Sequence, residues 1–207
     1  MVQQQTYAVN GYKTRRYAKF LMLLVLGGLL IGWTAGTQGE AQSSGTPLPP
    51  EVRDWARQAV DQLGVTIREG VFALNVPALS DIQLRAQRVL NVLLGKKSPD
   101  YQQRAGDPPG ADGVGVLTYL SRMREAIESR APGNDRLRAL LFALNSIQAY
   151  LQEAGERVVE ISRTREETLA RRTLNQLLAF LIAARGSKED PPSEGGARAL
   201  LMQLGGP

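Results

Sequence analysis

Asn134-Asp135-Arg136-Leu137-Arg138-Ala139-Leu140-Leu141-Phe142-Ala143-Leu144-Asn145-Ser146-Ile147-Gln148-Ala149-Tyr150-Leu151 is the stretch whose reading decides the fold. Leu137, Leu140, Leu141, Leu144, Ile147 and Leu151 recur at steps of three and four, which lines them up on one side of an α-helix. Ala154, Val158 and Ile161 extend the same stripe. Asn134 or Asp135 stands where a side-chain oxygen caps the first free N–H groups, so a helix is expected to begin there. The pattern then runs on through Leu169, Leu174, Leu177, Leu178, Leu181 and Ile182 to Gly186. An unbroken helix of that span would be ~75 Å long, about twice the length of the first helix, so a break is expected. Thr164 with Glu167 reads as a capping box that starts a fifth helix, and Gly155 is a second weak point.

Working towards the N-terminus, Val116, Leu117, Leu120, Met123, Ala126 and Ile127 give a helix stopped by Pro132-Gly133. Leu79, Ile82, Ala86, Val89, Leu90 and Leu93 give another, started by Pro77 or capped by Ser80 and closed by Gly95. Asp81 lies four residues before Arg85 on its outer side, a favourable spacing for a pair. Val52, Trp55, Ala56, Ala59, Val60, Leu63, Ile67, Val71 and Leu74 make the first helix. It opens at Pro49-Pro50-Glu51, is weakened at Gly64 and Gly70, and is ended by Asn75. No strand periodicity of useful length is present. The expected fold is therefore all-α, an up-and-down bundle of four to five helices over residues 50–186. Residues 187–207 read as a mostly flexible tail with a short helix from Ala197 to Leu204.

Ahead of the bundle, residues 38–49 read as a flexible linker rich in Gly, Ser, Thr and Pro. Residues 1–37 read as a basic stub followed by a signal or transmembrane segment. Lys13, Arg15, Arg16 and Lys19 precede an uncharged stretch of 16 residues from Phe20 to Ala35. A bilayer span wants ~20. Residues 20–37 suffice with slight thinning, and Trp33 then sits at the outer interface. An uncleaved anchor, with the bundle outside the cytoplasm, is the expectation. Cleavage near Ala41, before Gln42, is the alternative, because Gly39-Glu40-Ala41 offers small residues at the right places.

Composition narrows the chemistry. The chain has 207 residues, with no His and no Cys. Disulfides, thiolate metal sites, acyl-Cys anchors, imidazole ligands and a Ser-His-Asp triad are thereby excluded. The formal charge of +5 is concentrated in the first forty residues, which hold four basic groups and one acid. The remainder is close to balanced, so no nucleic-acid partner is expected.

The segment from Gly95 to Gly115 is long for a connection within a compact domain, and such loops are often functional. Asp100, Asp107 and Asp112, helped by backbone carbonyls and Gly106, Gly110 and Gly113, are the candidate metal ligands, with calcium the candidate ion. Calcium takes six to eight oxygens, usually with carboxylates close in sequence. The competing reading is a Pro/Gly-structured connection in which these residues make turn hydrogen bonds. Glu125, Glu128, Glu160, Glu166 and Glu167 fall on polar helix sides beside Arg or Lys, as solvated i,i+4 pairs such as Glu153–Arg157 and Glu167–Arg171 do. Arg157, Arg163, Arg165, Arg171 and Arg172 read as part of the same salt-bridged side. Trp55 and Met123 read as core.

The run Asn91-Val92-Leu93-Leu94-Gly95-Lys96-Lys97-Ser98-Pro99-Asp100-Tyr101, followed by Gly106-Asp107-Pro108 and Gly113-Val114-Gly115-Val116-Leu117-Thr118-Tyr119, resembles a segment of some uncharacterised bacterial envelope proteins with helical domains. In those, a His-bearing helix leads into a Ser-Pro-x-Tyr loop that ends in Asp-Pro-Gly-Asp-Gly. The likeness spans residues 91–119. Gln87 and Arg88 stand where that group tends to place His, and Pro108-Pro109 interrupts a thinned acidic loop. The resemblance implies the helical fold, and implies that any metal-binding ability of the group is lost here.

These observations lead to the expectation of a non-catalytic, membrane-tethered or exported helical protein. It would be a structural or interaction module, or an accessory subunit of a cell-envelope complex with an envelope protein as partner. The alternatives are an ion- or ligand-binding bundle using the 95–115 loop, and an envelope enzyme working through carboxylates. The sequence leaves the oligomeric state open.

Overall fold

Apolar side chains at helical spacing produce six helices and no strand among the described residues of the computed structural model, which are 47–187 and 196–205. The helices are α1 (Glu51–Leu74), α2 (Leu79–Leu94), α3 (Val116–Glu128), α4 (Asp135–Arg163), α5 (Glu167–Arg185) and α6 (Ala197–Gln203). All six helices lie within residues 51–203 and belong to one unit. The expected signal or anchor at residues 1–37 lies outside the described residues. No helix among the described residues is long and apolar enough to cross a membrane.

The stripe on α4 stays unbroken through Gly155, and Leu140, Leu144, Ile147, Ala154 and Ile161 are fully buried. Burying each such Leu or Ile stabilises the fold by about 1.5–3 kcal/mol. Among the described residues no Cα of α1 comes within 8 Å of one in α4, while each of the two helices packs on α2, α3, α5 and α6. The two longest helices therefore sit diagonally across the bundle. Leu63, Ile82, Leu120, Met123, Leu174 and Leu177 fill the space enclosed by the helices. Trp55 packs half-buried against that core. The short C-terminal piece is also core: Ala197, Leu200 and Leu201 of α6 are buried, and α6 packs on α1, α4 and α5.

Gly70 is not a weak point in α1. A Cβ there would stand 2.7 Å from Leu178 Cδ2, so the glycine lets α5 approach the α1 backbone.

The caps match the sequence at some ends and differ at others. Asn134 Oδ1 accepts from the Leu137 N–H at 3.1 Å, the expected N-cap of α4. Asn75 and Gly95 end α1 and α2 as read. The α4–α5 break comes at Thr164, but not through the expected capping box. Thr164 is the C-cap of α4, and its Oγ1 accepts from the Glu166 N–H at 3.1 Å in a local turn. The N-cap of α5 is Glu166, and Glu167 bonds to Arg171 Nε at 2.8 Å. The N-cap of α2 is Ala78, which makes no side-chain cap bond, so neither Pro77 nor Ser80 takes the role read for it.

Two C-termini are completed by distant side chains. Arg171 donates to Leu74 O at 2.9 Å and Val76 O at 2.8 Å, satisfying carbonyls at the end of α1. Gln83 Nε2 donates to Ile161 O at 3.1 Å and Thr164 O at 3.0 Å at the end of α4. Carbonyls in a last turn lack helical partners. No basic residue stands in the last turn of α1, so a residue on α5 supplies the donors.

Candidate functional site

The loop between α2 and α3 runs from Gly95 to Gly115, as the sequence indicated. Its two ends press together. Lys96 N–H donates to Gly113 O at 2.9 Å. Gly95 and Gly115 have φ of 78° and 97°. A Cβ at Gly95 would lie 2.1 Å from Val114 O, and one at Gly115 would lie 2.5 Å from Leu94 O. Only glycine fits both the positive φ and the contact. The result is a loop closed at its neck.

Asn91, fully buried in the last turn of α2, holds one side of the loop. Its Nδ2 donates to Gln102 O and Gly106 O, both at 2.9 Å, and its Oδ1 accepts from the Gln102 N–H at 3.0 Å. Gln62 of α1, also buried, holds the other side. Its Nε2 donates to Gly110 O and its Oε1 accepts from the Asp112 N–H, both at 3.2 Å. Arg88 Nε donates to Ala105 O at 3.0 Å. Asn91 and Gln62 thus substitute for the regular ladder that a loop backbone lacks.

The three candidate metal ligands are given separate partners. Asp107 accepts from the Tyr101 hydroxyl at 2.8 Å and lies 3.2 Å from Lys96 Nζ. Asp112 accepts from the Tyr119 hydroxyl at 2.7 Å and from the Val114 N–H at 2.8 Å. Asp100 sits in a turn where its N–H donates to Ser98 Oγ at 3.2 Å. Among the described residues no group of three Asp or Glu side chains comes together to hold a metal ion. At these positions the structure shows a turn bond from the Asp100 N–H and side-chain bonds from Asp107 and Asp112 to two tyrosines.

Both phenols are held neutral. Burial, then the hydrogen bond and negative charge of Asp112, push Tyr119 up to about 12, with Arg122 pulling slightly the other way. Burial, then the hydrogen bond and charge of Asp107, raise Tyr101. A neutral phenol donating to a carboxylate is a strong charge-assisted bond. The loop is therefore built to keep one shape.

Sequence reasoning passed over Asn91, Gln62, Tyr101 and Tyr119. For Gln62 the signal available is an amide close to the stripe of Val52, Trp55 and Ala59, because buried amides need partners; Asn91 lies on the side of α2 away from its apolar stripe, and its burial comes from the loop folding over it. The helix carboxylates lie where they were expected. Glu128 is 3.2 Å from Arg124, Glu160 is 2.9 Å from Arg157, and Glu167 is 2.8 Å from Arg171. No family model, no curated protein and no solved structure matches the chain.

Proposed function

We propose that this chain is a non-catalytic helical module that presents a fixed surface to a protein partner. In this reading it is an accessory subunit of a cell-envelope complex. The helices form an up-and-down bundle tethered through residues 20–37, or released into the envelope space by cleavage near Ala41. The observation that supports the reading most is the 95–115 loop. Buried amides of α1 and α2 hold its backbone, and its carboxylates are engaged by the Tyr101 and Tyr119 hydroxyls. A rigid loop binds without an ordering cost, so such investment in shape suits recognition.

Fractionation of cells expressing the full chain with a C-terminal epitope tests the tether. Recovery in membranes, resistant to alkaline extraction, with the epitope digested only by protease outside the inner membrane, is expected. An epitope in the soluble cytoplasmic fraction rejects the tether. A photo-crosslinker at exposed Pro109 tests the surface. It is expected to give one discrete heavier adduct that the same probe at Arg172 does not give, and adducts of equal yield from both sites reject the loop as the presenting surface.

A further inference from the structure

Beside the loop, a second feature brings basic and aromatic groups together on α1 and α2. Glu69 is 3% exposed. One of its oxygens, Oε1, is shared by Arg85 NH1 at 3.0 Å and Arg88 NH1 at 3.5 Å. Both guanidinium side chains stay partly open, at 28% and 30%. Arg85 also lies over the Phe72 ring, 5.6 Å from its centroid, and Phe72 is half exposed. Arg68, exposed and one turn before Phe72 on α1, reaches the loop. Its NH2 lies 3.3 Å from where a Cβ at Gly110 would stand. Arg104, exposed, precedes Ala105, whose carbonyl accepts from Arg88 Nε. Val71 and Leu84 are exposed apolar side chains on the same two helices.

We propose that this surface, Arg68, Phe72, Arg85, Arg88 and Arg104, is a docking site for an acidic protein segment that carries an apolar side chain among its carboxylates. Glu69 neutralises only part of the positive charge around it, so a partner's carboxylates complete the balance. Arg85 and Arg88 are positioned in advance by Glu69 and Ala105 O, so little side-chain freedom is lost when they bind. Guanidinium forks match carboxylates in a bidentate way. Phe72 supplies the apolar contact, and Arg and aromatic residues are the usual anchors of protein interfaces. Arg85 is held by Glu69 over the Phe72 ring and Arg88 by Glu69 and Ala105 O, and forks fixed in this way favour directed pairing with carboxylates over diffuse attraction to an anionic lipid surface. The inference deepens the interaction-module reading by naming the partner's chemistry.

The test uses the full chain in detergent and a fluorescein-labelled peptide of repeated Glu-Glu-Leu triplets, read by anisotropy at low and high salt. Saturable binding that weakens with salt is expected. Arg68→Glu and Arg104→Glu are each expected to weaken it by about two- to fivefold, the range of exposed charge pairs. Both side chains are exposed, so these variants stay folded. Phe72→Ser is expected to weaken it too, and Arg172→Glu is expected to leave it unchanged. The proposal is overturned by absence of saturable binding, by equal binding of the Gln-Gln-Leu counterpart, or by equal sensitivity to Arg172→Glu. It is also overturned if phosphatidylglycerol vesicles bind through the same arginines and displace the peptide. The fractionation assay does not depend on any of these outcomes, so failure here is distinguishable from failure of the tethered-module reading.

Discussion

Asn91→Leu removes the loop's main support on α2 while keeping the branched shape and heavy-atom count of the side chain. The native amide makes three hydrogen bonds to loop backbone, with Gln102 O, Gly106 O and the Gln102 N–H. At a net worth of about 1 kcal/mol each, their loss costs about 3 kcal/mol. The orphaned backbone groups recover part of this only by turning to water, which requires the loop to leave α2. The expected result is a melting midpoint lower by about 6–12 °C and a loop that has become a protease target. Arg104, Lys96 and Lys97 lie in that loop as trypsin sites. Limited trypsin digestion is therefore expected to cut Asn91→Leu at these residues well before the helices, whose far-UV signal stays native. If the variant loses less than about 1 kcal/mol in urea denaturation and the loop is cut no faster than in the parent, the claim that Asn91 holds the loop is wrong.

Alkaline stability tests the tyrosine latches. Tyr119 is at about 12 in the fold against about 10 for an unfolded tyrosine. Between those values the unfolded chain binds fewer protons than the native one, so stability falls as pH rises through this window and is complete below it. The loss is about 2–3 kcal/mol, and Tyr119→Phe is expected to flatten most of that slope in urea titrations at successive pH. Gly115→Ala is expected to destabilise by at least about 2 kcal/mol more than Gly133→Ala. Both glycines have positive φ, but only at Gly115 would the Cβ meet backbone; equal midpoints would discard the neck argument. Arg171→Gln is expected to cost about 2 kcal/mol by removing the charged donors from Leu74 O and Val76 O, while Arg172→Gln, exposed on the same helix, changes stability by less than about 0.5 kcal/mol. Calcium at millimolar concentration is expected to leave the melting midpoint unchanged, since Asp107 and Asp112 already serve Tyr101 and Tyr119. A rise abolished by Asp107→Ala and Asp112→Ala would establish the ion-binding reading.

The helices were legible because their signal is local. The stripe from Leu137 to Ile161, the Asn134 cap and the Gly95–Gly115 boundaries depend on residues a few positions apart, and all recur in the structure. The errors share one cause. Thr164 with Glu167 has the spacing of a capping box, yet Thr164 is held at the end of α4 by its N–H donating to Glu160 O at 3.1 Å. Asp81 and Arg85 have the spacing of an ion pair. Among the described residues it is Glu69, from the facing side of α1, that takes Arg85. Spacing names a possible partner, and packing brings a better one.

Sequence alone determined that the described chain is helical, where most helices begin and end, and that imidazole and thiol chemistry are absent. Each of these follows from residue identity or from a period of 3.6, and neither needs distance information. Tertiary structure decided which groups meet: Arg171 with the end of α1, Gln83 with the end of α4, Asn91 and Gln62 with the loop, and Glu69 with its two arginines. It also separated Asp107 from Asp112 by giving each its own tyrosine. Buried polar groups take whatever partner the packed helices set within about 3 Å. That choice depends on how the apolar faces dock, which positions along the chain do not encode as a distance.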